Sequence, residues 1–220
     1  MPFIPTPKDV SEVIDYAIKN DGVDSVQITG GSTIRSDVEE AHITKYLTSI
    51  NEYVGLDKLA GEILLYITPP DNTEVIDKYF ALGADRIACS IEVWDDERAK
   101  IITPGKREIT TKERHLTALT YIAEKYGKGK AFSNMIIGLE SLQTLKEGAT
   151  WLSERGIIPS ASIWMPFGKP VMGSMKAPTL DYFKAVKEMF AELYVKYDLI
   201  PAGGCGLNVC IERDIWKWAT

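Results

Sequence analysis

The chain has 220 residues, of which 45% are hydrophobic and 25% are charged, so it is long enough to bury a full core. Its formal charge of −6, with no clustered run of Lys and Arg, argues against a nucleic-acid-binding protein. No apolar run approaches the ~20 residues that span a bilayer, and the N-terminus lacks the basic-then-apolar pattern of a signal peptide. We therefore expect a single cytoplasmic domain over residues 1–220, with a small molecule or another protein as its partner.

An amphipathic helix, a glycine and a short apolar strand follow one another repeatedly along the chain. The helices carry apolar residues at three- and four-residue spacing, and Gly commonly follows their last turn. In chain order the pattern predicts helices over 10–22, 38–55, 72–83, 114–129, 142–156 and 180–199, and strands over 23–31, 61–68, 84–92, 130–140 and 157–167. Such alternation implies a parallel sheet with right-handed crossovers.

Each predicted strand has one wholly apolar face and one mixed face. In the strand over 130–140, Met135 and Ile137 lie on the apolar face, whereas Asn134 and Glu140 lie on the other. An open sheet covered by helices on both sides tends to be apolar on both faces, but a barrel with helices only outside needs one apolar face. We predict an α/β fold, a partial (β/α) TIM-type barrel with parallel strands and helices outside. It is partial because a full barrel has eight strands.

Polar residues collect at the C-terminal ends of the predicted strands, where parallel α/β folds place their sites. Among them, Glu92 and Glu140 are carboxylates on inward faces. The alternative is that both pair with cations such as Arg98 or Lys106 and only complete a hydrogen-bond network. The strand-end set comprises Thr29, Gly30, Gly31, Thr68, Glu92, Glu140 and Trp164.

Four segments, "QITGG", "SIEVWDDERAKIITPGK", "MIIGLES" and "PSASIWMPFGKP", resemble in order the radical S-adenosylmethionine enzymes, most closely their biotin-synthase-related branch. The resemblance implies that the Gly-Gly backbone receives the methionine amino group and that a strand-end polar residue approaches the ribose or methionine. It also implies that the third segment shapes the adenosine site and the fourth borders the adenine. Ser32 stands where the family often has Glu. The implied S-adenosylmethionine-binding residues are Thr29, Gly30, Gly31, Ser32, Thr68, Ser90, Glu92, Arg98, Gly138, Glu140, Trp164 and Met165; no catalytic residue is assigned.

The family's CxxxCxxC loop, whose three thiolates hold a [4Fe–4S] cluster, has no counterpart among these 220 residues. The cysteines are Cys89, Cys205 and Cys210. Cys205 and Cys210, spaced C-x4-C, are candidates for an auxiliary cluster, but two thiolates fall short of the usual four, which favours buried small residues in a tight loop. We expect the chain to bind S-adenosylmethionine but to perform no radical chemistry alone.

Three hypotheses account for this combination. The chain is a fragment that has lost the cluster-bearing strand, or half of a split enzyme whose other polypeptide supplies the cysteines, or a barrel that has kept only a ligand site. The retained strand-end set favours the first two jointly. Under the first two hypotheses, the complete enzyme would act on a small organic substrate.

Two rival functions remain. A lyase or aldolase on the same barrel would use Lys106 or Lys169 as nucleophile and Glu92 or Glu140 as base, but no inward strand position carries a lysine. A non-enzymatic interaction protein would fill the lumen with side chains. His42 and His115 lack zinc-site spacing, and we predict that both lie at the surface.

Overall fold

The computed structural model describes residues 5–29, 35–55, 58–168, 172, 174–201 and 212–220. The chain divides into two compact units, Met1–Ile87 and Ala88–Thr220. Its strands are hydrogen-bonded in chain order, β1-β2-β3-β4-β5. The predicted α/β class with parallel strands and helices is confirmed. The single domain over 1–220 stays a prediction.

The first unit begins with a capped helix and contains two paired strands. Thr6 Oγ1 accepts from the Asp9 N–H, and the Asp9 carboxylate accepts from the Thr6 N–H, which starts the first helix at Pro7. β1 and β2 are parallel, with Val26 opposite Ile63. The elements are α1 (Pro7–Asp21), β1 (Val26–Ile28), α2 (Ser36–Tyr53), β2 (Ile63–Tyr66), α3 (Glu74–Ala81) and β3 (Arg86–Ala88), whose last residue belongs to the second unit.

The second unit carries the longer strands, and several of its helices begin at side-chain N-caps. Ser141 and Thr179 each accept a hydrogen bond from a first-turn backbone N–H through the side-chain oxygen. β4 and β5 are parallel, with Asn134 opposite Ser160. The elements are α4 (Asp96–Ile102), α5 (Pro104–Ile109), α6 (Lys112–Tyr126), β4 (Ala131–Ile137), α7 (Leu142–Glu154), β5 (Ile158–Ile163), α8 (Leu180–Tyr197) and α9 (Glu212–Ala219).

All five predicted strands and all six predicted helices are present. The helices α4 and α5 were not predicted, because seven and six residues are too few for apolar periodicity to distinguish a helix from a loop. The helix α9 was not predicted either. Across the described ranges, the helices lack the combination of length and apolar composition that crossing a membrane requires.

His42 is exposed, as predicted, but the prediction for His115 is wrong. His115 is fully buried because it shares a stripe of α6 with Ala118, Leu119 and Ile122, which lie three, four and seven residues further along the helix. Its Nδ1 contacts the carbonyl oxygen of Thr111 at 3.0 Å, one turn earlier. Burial lowers the pKa of His115 from 6.5 to about 4, so the imidazole is neutral at ordinary pH.

Candidate functional site at the ends of three strands

The backbone ladder between β3 and β4 continues past Ala88 and contains one extra residue. The Cys89 N–H donates to the Phe132 oxygen at 3.1 Å, and the Glu92 N–H donates to the Asn134 oxygen at 2.9 Å. An advance of three residues, from Cys89 to Glu92, is therefore paired with an advance of only two residues on β4, from Phe132 to Asn134. The Ile91 N–H donates instead to Ser133 Oγ at 2.9 Å. This is a β-bulge, a feature that re-aims side chains and occurs often beside active sites.

Glu92, directly after the bulge, has an unusual backbone conformation. Its φ is +67°, in the left-handed region that non-glycine residues rarely occupy. Its backbone nevertheless pairs with β4, because its carbonyl accepts from the Ile136 N–H at 2.8 Å and it forms a parallel bridge with Met135. Strict alternation of faces therefore fails between Ser90 and Glu92, and the direction of the Glu92 side chain could not be read from strand parity.

The Glu92 carboxylate belongs to a continuous line of hydrogen-bonded side chains, here called the polar row: Lys106, Glu92, Asn134 and Ser162. Lys106 Nζ lies 3.2 Å from Glu92 Oε1, and Asn134 Nδ2 donates to Glu92 Oε2 at 2.8 Å. Ser162 Oγ donates to Asn134 Oδ1 at 2.8 Å. The row joins α5, the bulged segment, β4 and β5 at one end of the sheet.

The polar row is partly open to solvent. The side chains of Glu92 and Lys106 are 21% and 23% exposed, whereas Asn134 is 9% exposed. The alternative in which Glu92 pairs with a cation and completes a hydrogen-bond network is thus represented by its ion pair with Lys106. The two residues named for a lyase, Lys106 and Glu92, are also brought together, since the lysine reaches the carboxylate from α5 rather than from a strand.

Glu140 serves a different part of the site. It is 6% exposed, and its two carboxylate oxygens accept from the backbone N–H groups of Trp94 at 2.8 Å and Asp95 at 2.7 Å. Its carbonyl oxygen accepts from the Tyr182 hydroxyl at 3.0 Å. Burial raises the pKa of Tyr182, which keeps that hydroxyl protonated as a donor. Glu140 thus binds the chain between Glu92 and α4.

Two cations hold the same stretch of backbone, Val93–Asp95. Arg107 Nη2 donates to the Val93 oxygen at 2.8 Å, and Lys112 Nζ donates to the Trp94 oxygen at 2.7 Å. The Lys112 ammonium also lies 3.8 Å from the centroid of the Trp94 ring, a cation–π contact. Burial lowers the pKa of both Arg107 and Lys112 from their ordinary values.

Three other predicted residues of the second unit are engaged by protein groups. Arg98 is exposed, and its Nε donates to the Leu139 oxygen. Trp164 is half-buried, packs against the cluster that includes Val93 and Leu139, and donates from Nε1 to the Met175 oxygen at 3.2 Å. Gly138 has φ +99°, and a Cβ there would lie 2.9 Å from Cδ of Pro178.

The remaining predicted residues are not members of the polar row. Ser90 is half-buried and Met165 is 51% exposed. Within the first unit, Thr29 is exposed, and the Thr68 N–H donates to Glu39 Oε1 at 3.0 Å. The predicted residues that lie outside the described ranges are Gly30, Gly31, Ser32, Lys169, Cys205 and Cys210.

Sequence reasoning did not assign a binding role to Asn134 or Ser162, although both are polar residues on the mixed faces of their strands. Their position on those mixed faces was the sequence signal that could have identified them. Arg107 and Lys112 carried no such signal, because they act on backbone carbonyls from outside the sheet.

The described residues do not fit an iron–sulfur cluster. They contain no group of three or more His, Cys, Asp or Glu side chains placed to hold a metal ion. Cys89 is fully buried, and its backbone is part of the ladder with β4. The donor set of the polar row is suited instead to an organic ligand, since Glu92 accepts from hydroxyl or ammonium groups and Asn134 both donates and accepts.

Comparison with known proteins finds similarity both by sequence and by structure. The bacteriochlorophyllide c C-7(1)-hydroxylase of Chlorobaculum limnaeum is 28% identical over 148 residues, which cover 64% of this chain and 37% of the hydroxylase. The chain thus spans well under half of that relative's length. An archaeal Elp3 structure, from Methanocaldococcus infernus with residues 1–46 deleted, superposes with a TM-score of 0.54 at 16% identity, over 87% of this chain and 49% of the Elp3 chain. That likeness shows a shared fold. No family model matches the chain.

Proposed function

We propose that the chain is a member of the radical S-adenosylmethionine superfamily, as its similarity to the hydroxylase supports, and that it binds S-adenosylmethionine at the polar row. The observation that carries the proposal is the unbroken line of hydrogen bonds from Lys106 through Glu92 and Asn134 to Ser162. It lies at the strand ends, where parallel α/β folds place their ligands.

The chemistry of the row suits the polar part of this ligand. The Glu92 carboxylate accepts from ribose hydroxyls or from the amino group, and Asn134 holds that carboxylate through its Nδ2. Ser162 fixes the amide orientation of Asn134, because its hydroxyl donates to Oδ1 and leaves Nδ2 for Glu92. In this superfamily the bound cofactor supplies radical chemistry, which the protein directs at a substrate.

The proposal extends to a partner and a substrate class. Because the sequence of these 220 residues contains no CxxxCxxC motif, we place the [4Fe–4S] ligands on another polypeptide segment, as the fragment and split-subunit hypotheses require. The complete enzyme would then act on a small organic substrate. Thr29, Gly30, Gly31, Ser32, Thr68 and the other residues implied by the family resemblance stay predictions.

Calorimetric titration of the purified chain tests the proposal. Without the cluster as an anchor we expect a dissociation constant of roughly 0.1 to 1 mM, since the remaining polar contacts each contribute on the order of 1 kcal/mol. Glu92→Gln should weaken binding about tenfold, because hydrogen bonds to a charged group contribute about 1.5 kcal/mol or more. Glu147→Gln, an exposed carboxylate on α7, is the matched control and should bind like the unmodified chain. Equal binding in all three proteins, or none at millimolar ligand, would refute the site.

A further inference from the structure

The backbone of Val93–Asp95 is held by four side-chain hydrogen bonds within three residues. Glu140 accepts from the N–H groups of Trp94 and Asp95 at 2.8 and 2.7 Å. Arg107 and Lys112 donate to the carbonyls of Val93 and Trp94 at 2.8 and 2.7 Å. We call Glu140, Arg107 and Lys112 the clamp. Its members come from the end of β4, from α5 and from α6.

The clamp lies immediately beside the one residue of the polar row with a strained backbone. Glu92 has φ +67°, and such a conformation persists in a non-glycine residue only where the surroundings impose it. On one side, β4 fixes the Glu92 N–H and carbonyl through Asn134 and Ile136. On the other side, the chain from Val93 onward is fixed by the clamp. Glu92 is therefore constrained from both directions.

A carboxylate at Glu140 suits the two backbone N–H groups that it binds. Two adjacent backbone N–H groups each require an acceptor, and a carboxylate offers two acceptor oxygens with no donor. A glutamine at the same place would offer one oxygen and turn an NH2 group toward the second N–H. The half-buried cations Arg107 and Lys112 supply opposite charge nearby, and both interact electrostatically with Glu140.

From this geometry we propose that the clamp, and Glu140 above all, consists of positioning residues that hold Glu92 in its left-handed conformation and so aim its carboxylate along the polar row. Glu140 acts on the ligand only through Glu92. The effect on S-adenosylmethionine rests on the proposed function, whereas the effect on the Glu92 backbone does not.

The backbone effect is measured without any ligand. The 13Cα shift and the three-bond HN–Hα coupling of Glu92 report its φ in isotope-labelled protein. Glu140→Gln should move both away from left-handed values, and so should the milder Lys112→Met, which keeps the aliphatic stem over Trp94 but removes the donor. Lys100→Met, on an exposed lysine paired with Glu97, is the control and should change neither value. Unchanged Glu92 signals in both clamp variants would overturn the proposal.

A double-mutant cycle then tests whether Glu140 acts through Glu92. Glu140→Gln should weaken S-adenosylmethionine binding about fivefold to tenfold in the otherwise unmodified chain, but less than about twofold in the Glu92→Gln background. A merely structural role would give similar losses in both backgrounds, and that result would overturn the proposed coupling. Absence of binding in the unmodified chain would instead refute the proposed function, while the NMR measurement still decides the role of the clamp.

Discussion

Gly148 of α7 lies directly against the indole of Trp94. A Cβ at position 148 would lie 2.6 Å from Trp94 Cδ2 and 2.7 Å from Cε of Met135, closer than real Cβ contacts occur. The indole also lies 5.9 Å, centroid to centroid, from the tilted ring of Trp151, with the Lys112 ammonium over its own ring. Glycine at 148 therefore permits the position of Trp94, whose backbone Glu140 and Lys112 hold.

Replacing Gly148 by alanine should lower the free energy of unfolding by about 1–3 kcal/mol, because the added methyl group overpacks rigid neighbours. Urea denaturation measures the change. Gly105→Ala in α5 is the matched control, since a Cβ there meets nothing within 4 Å. This variant should be no less stable than the unmodified chain, because alanine within a helix is favoured over glycine by about 0.5–1 kcal/mol. A Gly148→Ala protein as stable as the unmodified chain would show that Trp94 has room to move.

His115 should make the stability of the chain depend on pH between about 4 and 6.5. The unfolded chain protonates this histidine near pH 6.5, but the folded chain does so only near pH 4, because burial disfavours the charged imidazole. Between these values the unfolded state binds more protons, so stability falls as pH falls. Lowering the pH from 7 to 5 should cost about 2 kcal/mol from this group alone.

Denaturation curves for His115→Asn and His42→Asn isolate that contribution. Asparagine at 115 keeps an N–H donor for the Thr111 carbonyl but does not titrate, so its pH dependence should be shallower. His42 is exposed, and its replacement should give the same dependence of stability on pH as in the unmodified chain. Parallel slopes for all three proteins would contradict the assignment.

Tyr194 fastens α8 to the start of β5. Its hydroxyl donates to the Pro159 oxygen at 2.6 Å, in a buried position, and its ring meets Phe190 edge-on. Tyr194→Phe should lower the free energy of unfolding by about 1–3 kcal/mol, because it leaves a buried carbonyl without its donor. Tyr197→Phe removes a hydrogen bond to Glu154 at the protein surface and should change stability by less than about 0.5 kcal/mol. Thermal unfolding measures the loss of stability in each variant. Equal losses would show that the buried hydrogen bond of Tyr194 contributes no more than the surface hydrogen bond of Tyr197.

Periodicity predicted the order of the longer elements because each buries an apolar stripe or face that its residues reveal. The polar row was predicted in part, since Glu92 was chosen at its strand end and Lys106 was named, with Arg98, as a cation that could pair with the strand-end carboxylates. Its geometry could not be predicted, because the extra residue between Cys89 and Glu92 is a property of pairing with β4 and leaves no local pattern.

The role of Glu140 was equally hidden. Strand parity placed its carboxylate among the inward-facing groups, but the partners of that carboxylate are two backbone N–H groups 45 and 46 residues earlier in the chain. Backbone donors carry no sequence signal. His115 was misplaced for a related reason: it lies on an apolar stripe of α6, and the partner of its Nδ1 is a backbone carbonyl, which carries no sequence signal.

The proposed function requires that S-adenosylmethionine binds at the polar row. Titration of the 15N-labelled chain with this ligand, followed by two-dimensional 1H–15N NMR spectra, tests that directly. We predict saturable shifts of the Asn134 side-chain NH2 and of the Glu92 amide, with one dissociation constant of roughly 0.1 to 1 mM. The amides around Tyr194 in α8 should stay unmoved. No shift of Glu92 or Asn134 at millimolar ligand, or saturable shifts confined to other parts of the chain, would contradict binding at the polar row.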